Sequence, residues 1–188
     1  MTLGDGKRKV LMIIDEYSSG GSASVDADIN AKMNDFFDLA QRDVAQHKPI
    51  LKSTEISMQS AVGAYQLFDL PERFKKLHRV WNGERDITRR AKIRGGKLLL
   101  PNVGAGMVLV EYTAHPASID ASTPDSYEFE VAEDAAACMP YYVASLQLLV
   151  DMVLDYKPPL GLYDRMLAKL DTSLPGSGNG GVVQSYFR

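Results

Sequence analysis

No disulfide can close within this chain, because Cys138 is its single cysteine. The fold is therefore expected to rest on its own apolar core, which 188 residues can supply without covalent staples. Cys138 sits among Ala135, Ala136, Ala137 and Met139, where a small buried helical residue is expected. A cysteine nucleophile would need a base beside it, and none is near in sequence. The three histidines, His47, His78 and His115, stand apart from one another and from Cys138, so no zinc ligand set is spelled out. Long apolar runs are missing too. The patch at residues 10–14 falls far short of the roughly 20 apolar residues that span a bilayer, and it is too short for a secretory core. A protein made and kept in a cytoplasm, without membrane contact, is expected.

Phosphate-cradling motifs are also lacking. There is no Gly-Lys-Ser/Thr loop, and Gly104-Ala105-Gly106 has no third glycine and leads into a strand rather than a helix. Glu128 and Glu130, two apart on an extended piece, read as an acidic surface rather than an acid/base pair. No catalytic, metal-binding or cofactor-binding residue is expected, and no enzyme.

What the chain does have is segregated charge. Its net charge is −3, yet ten Lys and Arg residues lie between Arg73 and Lys97, opposed by Glu84 and Asp86 alone. Six acids and no Lys or Arg lie in residues 120–134. Such separation points to charged faces. The basic stretch is either a solvated β face or a surface that meets nucleic acid or an acidic neighbour. Lys and Arg there would grip phosphates without reading bases.

Periodicity orders the chain. Residues 7–18 read as a short helix, followed by a Ser/Gly-rich loop at 18–24. A second helix runs from near Asp26 or Asp28 to His47, with Ile29, Met33, Phe36, Phe37, Ala40 and Val44 on one stripe. Alternation then takes over. Strands are expected at 50–58, 64–70, 76–81, 88–93, 97–100 and 107–112, and a short edge strand at 127–131. Helix returns at 135–156, apolar on most sides, with Tyr142, Val143, Leu146, Leu149, Val150 and Val153 forming a broad stripe suited to an interior or a subunit contact. Pro140 either kinks it or marks its first turn, and Lys157-Pro158-Pro159 ends it. A last helix is expected at 161–170. Residues 172–188 read as a glycine-rich linker with a strand-prone tip, Val182-Val183-Gln184-Ser185-Tyr186-Phe187. The expectation is an α+β chain, mainly α. Its domain covers 1–171, with helices at 7–47 and 135–170 and a β insertion at 50–131, and 172–188 forms an extended arm.

Several short motifs fall in a familiar order. Leu70-Pro71-Glu72-Arg73-Phe74-Lys75-Lys76-Leu77 precedes a strand. Gly96-Lys97-Leu98-Leu99-Leu100 and Val108-Leu109-Val110-Glu111-Tyr112 follow, the latter running on to Pro116. Met139-Pro140-Tyr141-Tyr142-Val143-Ala144 and Tyr163-Asp164-Arg165-Met166-Leu167 close the series. In order and spacing, residues 50–170 resemble the head–tail connector (adaptor, or gatekeeper) proteins of tailed bacteriophages. The resemblance implies a helical bundle, of two amino-terminal and two carboxyl-terminal helices, with an inserted small β unit. It implies a ring, usually of twelve copies, in the virion neck, assembled in the host cytoplasm. Its partners would be the portal protein, further copies of itself, and a tail or second neck protein. Phage DNA would pass through without sequence-specific contacts.

On that view the surfaces acquire roles. Val182, Val183, Gln184, Ser185, Tyr186 and Phe187 would dock on the portal by adding a strand. Arg85, Arg89, Arg90, Lys92, Arg94 and Lys97 would line the channel or meet a neighbouring subunit. Asp120, Asp125, Glu128 and Glu130 would form an inter-subunit acidic face. The alternatives are a tail-completion or tail-terminator virion protein, and a sequence-nonspecific DNA-binding protein.

Overall fold

The computed structural model describes residues 1–17, 27–60, 63–151 and 156–171. The chain divides into two compact units, Ile50–His115 and the pair of segments Met1–Pro49 and Pro116–Arg188.

The discontinuous unit is helical. Helix α1, Leu3–Tyr17, opens with a reciprocal cap: the Asp5 amide donates to Thr2 Oγ1 at 3.2 Å, and the Thr2 amide to Asp5 Oδ2 at 3.1 Å. The helix thus starts earlier than its apolar spacing suggests and runs straight through Gly4 and Gly6. Gly6 is small for a reason. A Cβ there would lie 2.8 Å from the tip of the Phe37 ring.

Helix α2, Ala27–His47, buries Met33, Phe37, Ala40 and Val44 on the stripe that its periodicity predicts. A single turn, α3 at Glu133–Ala136, precedes α4 at Met139–Asp151. The break between them comes just before Pro140, which sits in the first turn of α4, where its missing N–H costs nothing. Helix α4 packs on α1, α2 and the last helix, α5, at Lys157–Leu167. Pro158 and Pro159 therefore open α5, where the sequence reading has them ending the helix before it. Of the expected α4 stripe, Val153 lies outside the described residues.

Residues 116–132 join no sheet and are held by the backbone at the chain's start and by side chains: the Leu3 amide donates to the Tyr127 carbonyl at 2.8 Å and the Gly4 amide to the Asp125 carbonyl at 2.9 Å. Gln41, fully buried, donates from Nε2 to the Ala117 carbonyl at 3.0 Å and accepts the Glu130 amide on Oε1 at 3.1 Å. Phe129 packs on Phe37 with ring centroids 5.3 Å apart. The expected edge strand at 127–131 reduces to one isolated bridge between Thr2 and Glu128. Backbone groups of Met1, Leu3 and Gly4 bond residues 125–129, and Gln41 bonds the segment at Ala117 and Glu130.

The continuous unit is all β. Strands β1 (Ile50–Met58), β7 (Gly106–Ala114), β3 (Phe74–Asn82) and β4 (Arg85–Asp86) form one antiparallel sheet in the order β1-β7-β3-β4. Strands β2 (Tyr65–Asp69), β6 (Lys97–Pro101) and β5 (Lys92–Arg94) form a second, in the order β2-β6-β5. Alternate residues of both sheets meet in one core: Met58, Val80, Val108 and Val110 from the first, Leu98 and Leu100 from the second, and Ile87 from the link between them.

One motif segment acts as a joint here. At Pro71-Glu72-Arg73-Phe74 the Phe74 amide closes onto the Pro71 carbonyl at 3.2 Å, with Arg73 left-handed at φ 53°. Phe74 then stacks on Tyr112, centroids 5.7 Å apart.

The expectation of a mainly α chain built as a helical bundle is overturned. Helix accounts for about 39% and strand for about 30%, with antiparallel sheets of four and three strands. Alternation located most strands individually. What it could not show is that they pair into two sheets with a core of their own, so the β unit is no mere appendage to a bundle. The segment 88–93 differs as well: Thr88–Arg90 is a 3-10 turn, and only Lys92–Arg94 is extended.

Candidate nucleic-acid interface

The link from β3 to β5 is built to hold arginines outward. It alternates anchors with exposed cations. Ile87 is buried in the β core, and its amide donates to the Val80 carbonyl at 2.8 Å. Thr88 Oγ1 accepts the Val80 amide at 2.8 Å, and the Thr88 amide donates to Asp86 Oδ1 at 2.8 Å. Those bonds from Thr88 hold the Asp86 carboxyl below the usual carboxylate range, helped by the nearby charges of Arg79 and Arg89. Between these anchors Arg85, Arg89 and Arg90 are exposed.

The outer face of the three-stranded sheet continues the positive surface. Leu98 and Leu100 point into the core, so Lys97 and Leu99 point out. Register places Lys92 opposite Leu99, whose neighbour on the other side is Leu67, and Arg94 opposite Lys97, whose neighbour on the other side is Asp69. Lys97 is ion-paired with Asp69. Lys92 lies 5.1 Å from the centroid of the Tyr65 ring. Among the described residues, Arg85, Arg90 and Arg94 make no salt bridge. The fold thus brings all six predicted cations into the β unit, on one link and one small sheet.

No protein-family model matches this chain, and no curated protein matches it either. Its surfaces have to be read from their own chemistry.

The predicted acids belong to the other unit, and most are already engaged. The Asp120 carboxylate accepts from the Ser122 amide at 2.9 Å, the Ser122 hydroxyl at 2.6 Å and the Thr123 hydroxyl at 3.3 Å, which lowers its pKa. Asp125 pairs with Lys7 at 2.8 Å. Glu130 accepts the Ala117 amide at 2.8 Å. Glu128 is exposed, its backbone bridged to Thr2. These bonds hold residues 116–132 in place. The docking residues Val182, Val183, Gln184, Ser185, Tyr186 and Phe187 lie outside the described residues.

Sequence reasoning missed a second cluster. On the outer face of the four-stranded sheet the Trp81 indole donates to Glu111 at 3.1 Å, with the Arg79 guanidinium 5.6 Å from the ring centroid. Register makes Arg79 the partner of Glu111, and Trp81 that of Leu109. Only the pairing of β3 with β7 makes that neighbourhood visible. Cys138 is buried, and burial raises its thiol pKa, an environment that suits packing rather than nucleophilic attack. Among the described residues no three His, Cys, Asp or Glu side chains gather at metal-binding distance. No helix among them is long and apolar enough to cross a membrane.

Proposed function

We propose that this protein is a head–tail connector of a tailed bacteriophage, a ring-forming adaptor between the capsid portal and the tail through which DNA passes. The observation that carries the reading is the ordered series of motifs from Leu70 to Leu167. Their residues serve as joints: Pro71 and Phe74 open β3, Pro140 opens α4, and Tyr163 ties α5 to α2.

Surface features support the same reading. Helix α4 buries Val143 and Leu148, while its neighbours Leu149 and Val150 remain 48% and 53% exposed. A helix apolar on its inner side and at its outer carboxyl end has surface left for another subunit. Assembly into a ring needs such heterologous contacts, closing by rotation. The helical-bundle architecture is no part of the proposal.

The test is sedimentation of the purified protein with isolated portal rings of the phage or prophage that encodes it. A connector travels with the portal and appears as a ring of density below it in electron micrographs. Failure to associate under any assembly condition overturns the reading. Association with tails but not with portals replaces it with a tail-completion role.

A further inference from the structure

We propose that Arg85, Arg89, Arg90, Lys92 and Arg94 form a strip that grips the phosphates of double-stranded DNA without reading its sequence. This rests on the connector reading for the source of the DNA, and of the two roles open to these cations it takes the channel-facing one. Three observations carry it.

First, the strip is preorganised. Ile87 fills the β core, the Val80 amide and carbonyl are both tied to the link, and the Asp86 carboxylate holds the Thr88 amide. Backbone that is already fixed need not be ordered on binding, so contacts made by its side chains lose less to entropy.

Second, positive charge is in local excess. Residues 84–94 hold five cations against two acids, Glu84 and Asp86, and only Arg89 among the five lies near the Asp86 carboxylate. Four of the five cations are arginines, whose planar guanidinium matches phosphate oxygens in pairs. Lys92 is steadied over the Tyr65 ring.

Third, the strip lacks what a protein partner would need. Within residues 85–94 the only large exposed apolar residue is Ile93, and across the sheet Leu67 is the one other, in the row of Lys92. Protein interfaces concentrate apolar and aromatic groups at their centre and exclude charge from it. Here charge occupies the centre. The strip also runs through a 3-10 turn and a three-residue strand, with no helix to enter a groove. The contacts it offers are to the phosphate backbone.

Fluorescence anisotropy of a short labelled duplex, titrated with the full-length protein across a salt series, tests this. Binding should be tight at low salt, weaken steeply as salt rises, and be equal for two duplexes of unrelated sequence. Replacing Arg85, Arg89, Arg90 and Arg94 together with Gln should reduce the slope of log affinity against log salt by about 3–4, the loss expected for four phosphate contacts. Replacing Lys9 and Lys169 with Gln, in the helical unit, should leave the curve unchanged. Circular dichroism should report the same fold for each variant. An unchanged slope in the four-arginine variant, or no duplex binding at the lowest salt, overturns the proposal. So does tighter binding of polyglutamate than of DNA, which would make an acidic protein the partner. Portal co-sedimentation reads separately: docking without duplex binding removes the strip and leaves the connector, and duplex binding without docking does the reverse.

Discussion

Tyr163 donates its hydroxyl to Asp43 at 2.5 Å, tying α5 to α2 across 120 residues of sequence. The Tyr142 ring lies 4.9 Å from that of Tyr163, so the hydrogen bond is shielded on one side by a second aromatic. Burial, and then the Asp43 bond, push the Tyr163 pKa far above its ordinary value near 10. Tyr163→Phe should cost about 1.5–3 kcal/mol, the range for a hydrogen bond to a charged group. The pH dependence has a definite sign. A raised folded-state pKa gives stability that is complete below the unfolded value and is lost as pH climbs above it. Denaturant unfolding should therefore show the wild type losing stability above the ordinary tyrosine pKa, and Tyr163→Phe losing less. Equal alkaline slopes would show that the pair is not formed.

Gly6→Ala should destabilise the protein, although alanine favours helix. Alanine gains about 1 kcal/mol in helix propensity. Against that, its Cβ would meet the buried Phe37 ring at 2.8 Å, and overpacking costs about 1–3 kcal/mol. A net loss of up to about 2 kcal/mol is expected in urea denaturation. A gain in stability would mean that α1 does not approach α2 this closely.

Gln41 makes two backbone hydrogen bonds that hold residues 116–132. Gln41→Leu keeps the volume but leaves the Ala117 carbonyl and the Glu130 amide without this partner, at a cost of about 2–4 kcal/mol. Limited proteolysis should then cut within 116–132 first. Cutting elsewhere first would show that other contacts hold that segment.

Leu149 and Val150 should matter for assembly and not for folding. Changing both to Gln should alter monomer stability by less than about 0.5 kcal/mol, as for exposed positions in general. The same change should reduce ring formation on portals. A large loss of monomer stability would place these residues in the core.

The parts of the fold legible in the sequence are those with a clean period. Helix α2 follows from Met33, Phe37, Ala40 and Val44, and β1 from alternation between Ile50 and Met58, the bounds the structure shows. Helix α1 starts at Leu3 rather than near Lys7, because the Thr2–Asp5 cap and not the apolar spacing sets its first turn. The two-sheet core was hidden because alternation tells which residues face inward but not which strand lies beside which. Pairing Val80 with Val110 needs the register. The basic surface showed in composition alone. Its scaffold did not, since Thr88 acts by reaching back to Val80. The acids' local bonds were not legible either: Glu130 holds the Ala117 amide, thirteen residues away in sequence.

The connector reading stands or falls on where the protein resides in an assembled particle. Cryo-electron microscopy of virions from the encoding phage, with the protein fused to a small density tag, locates it directly. The account predicts tag density in a ring at the neck, between portal and tail. Virions that infect normally while containing no copy of this chain would contradict it.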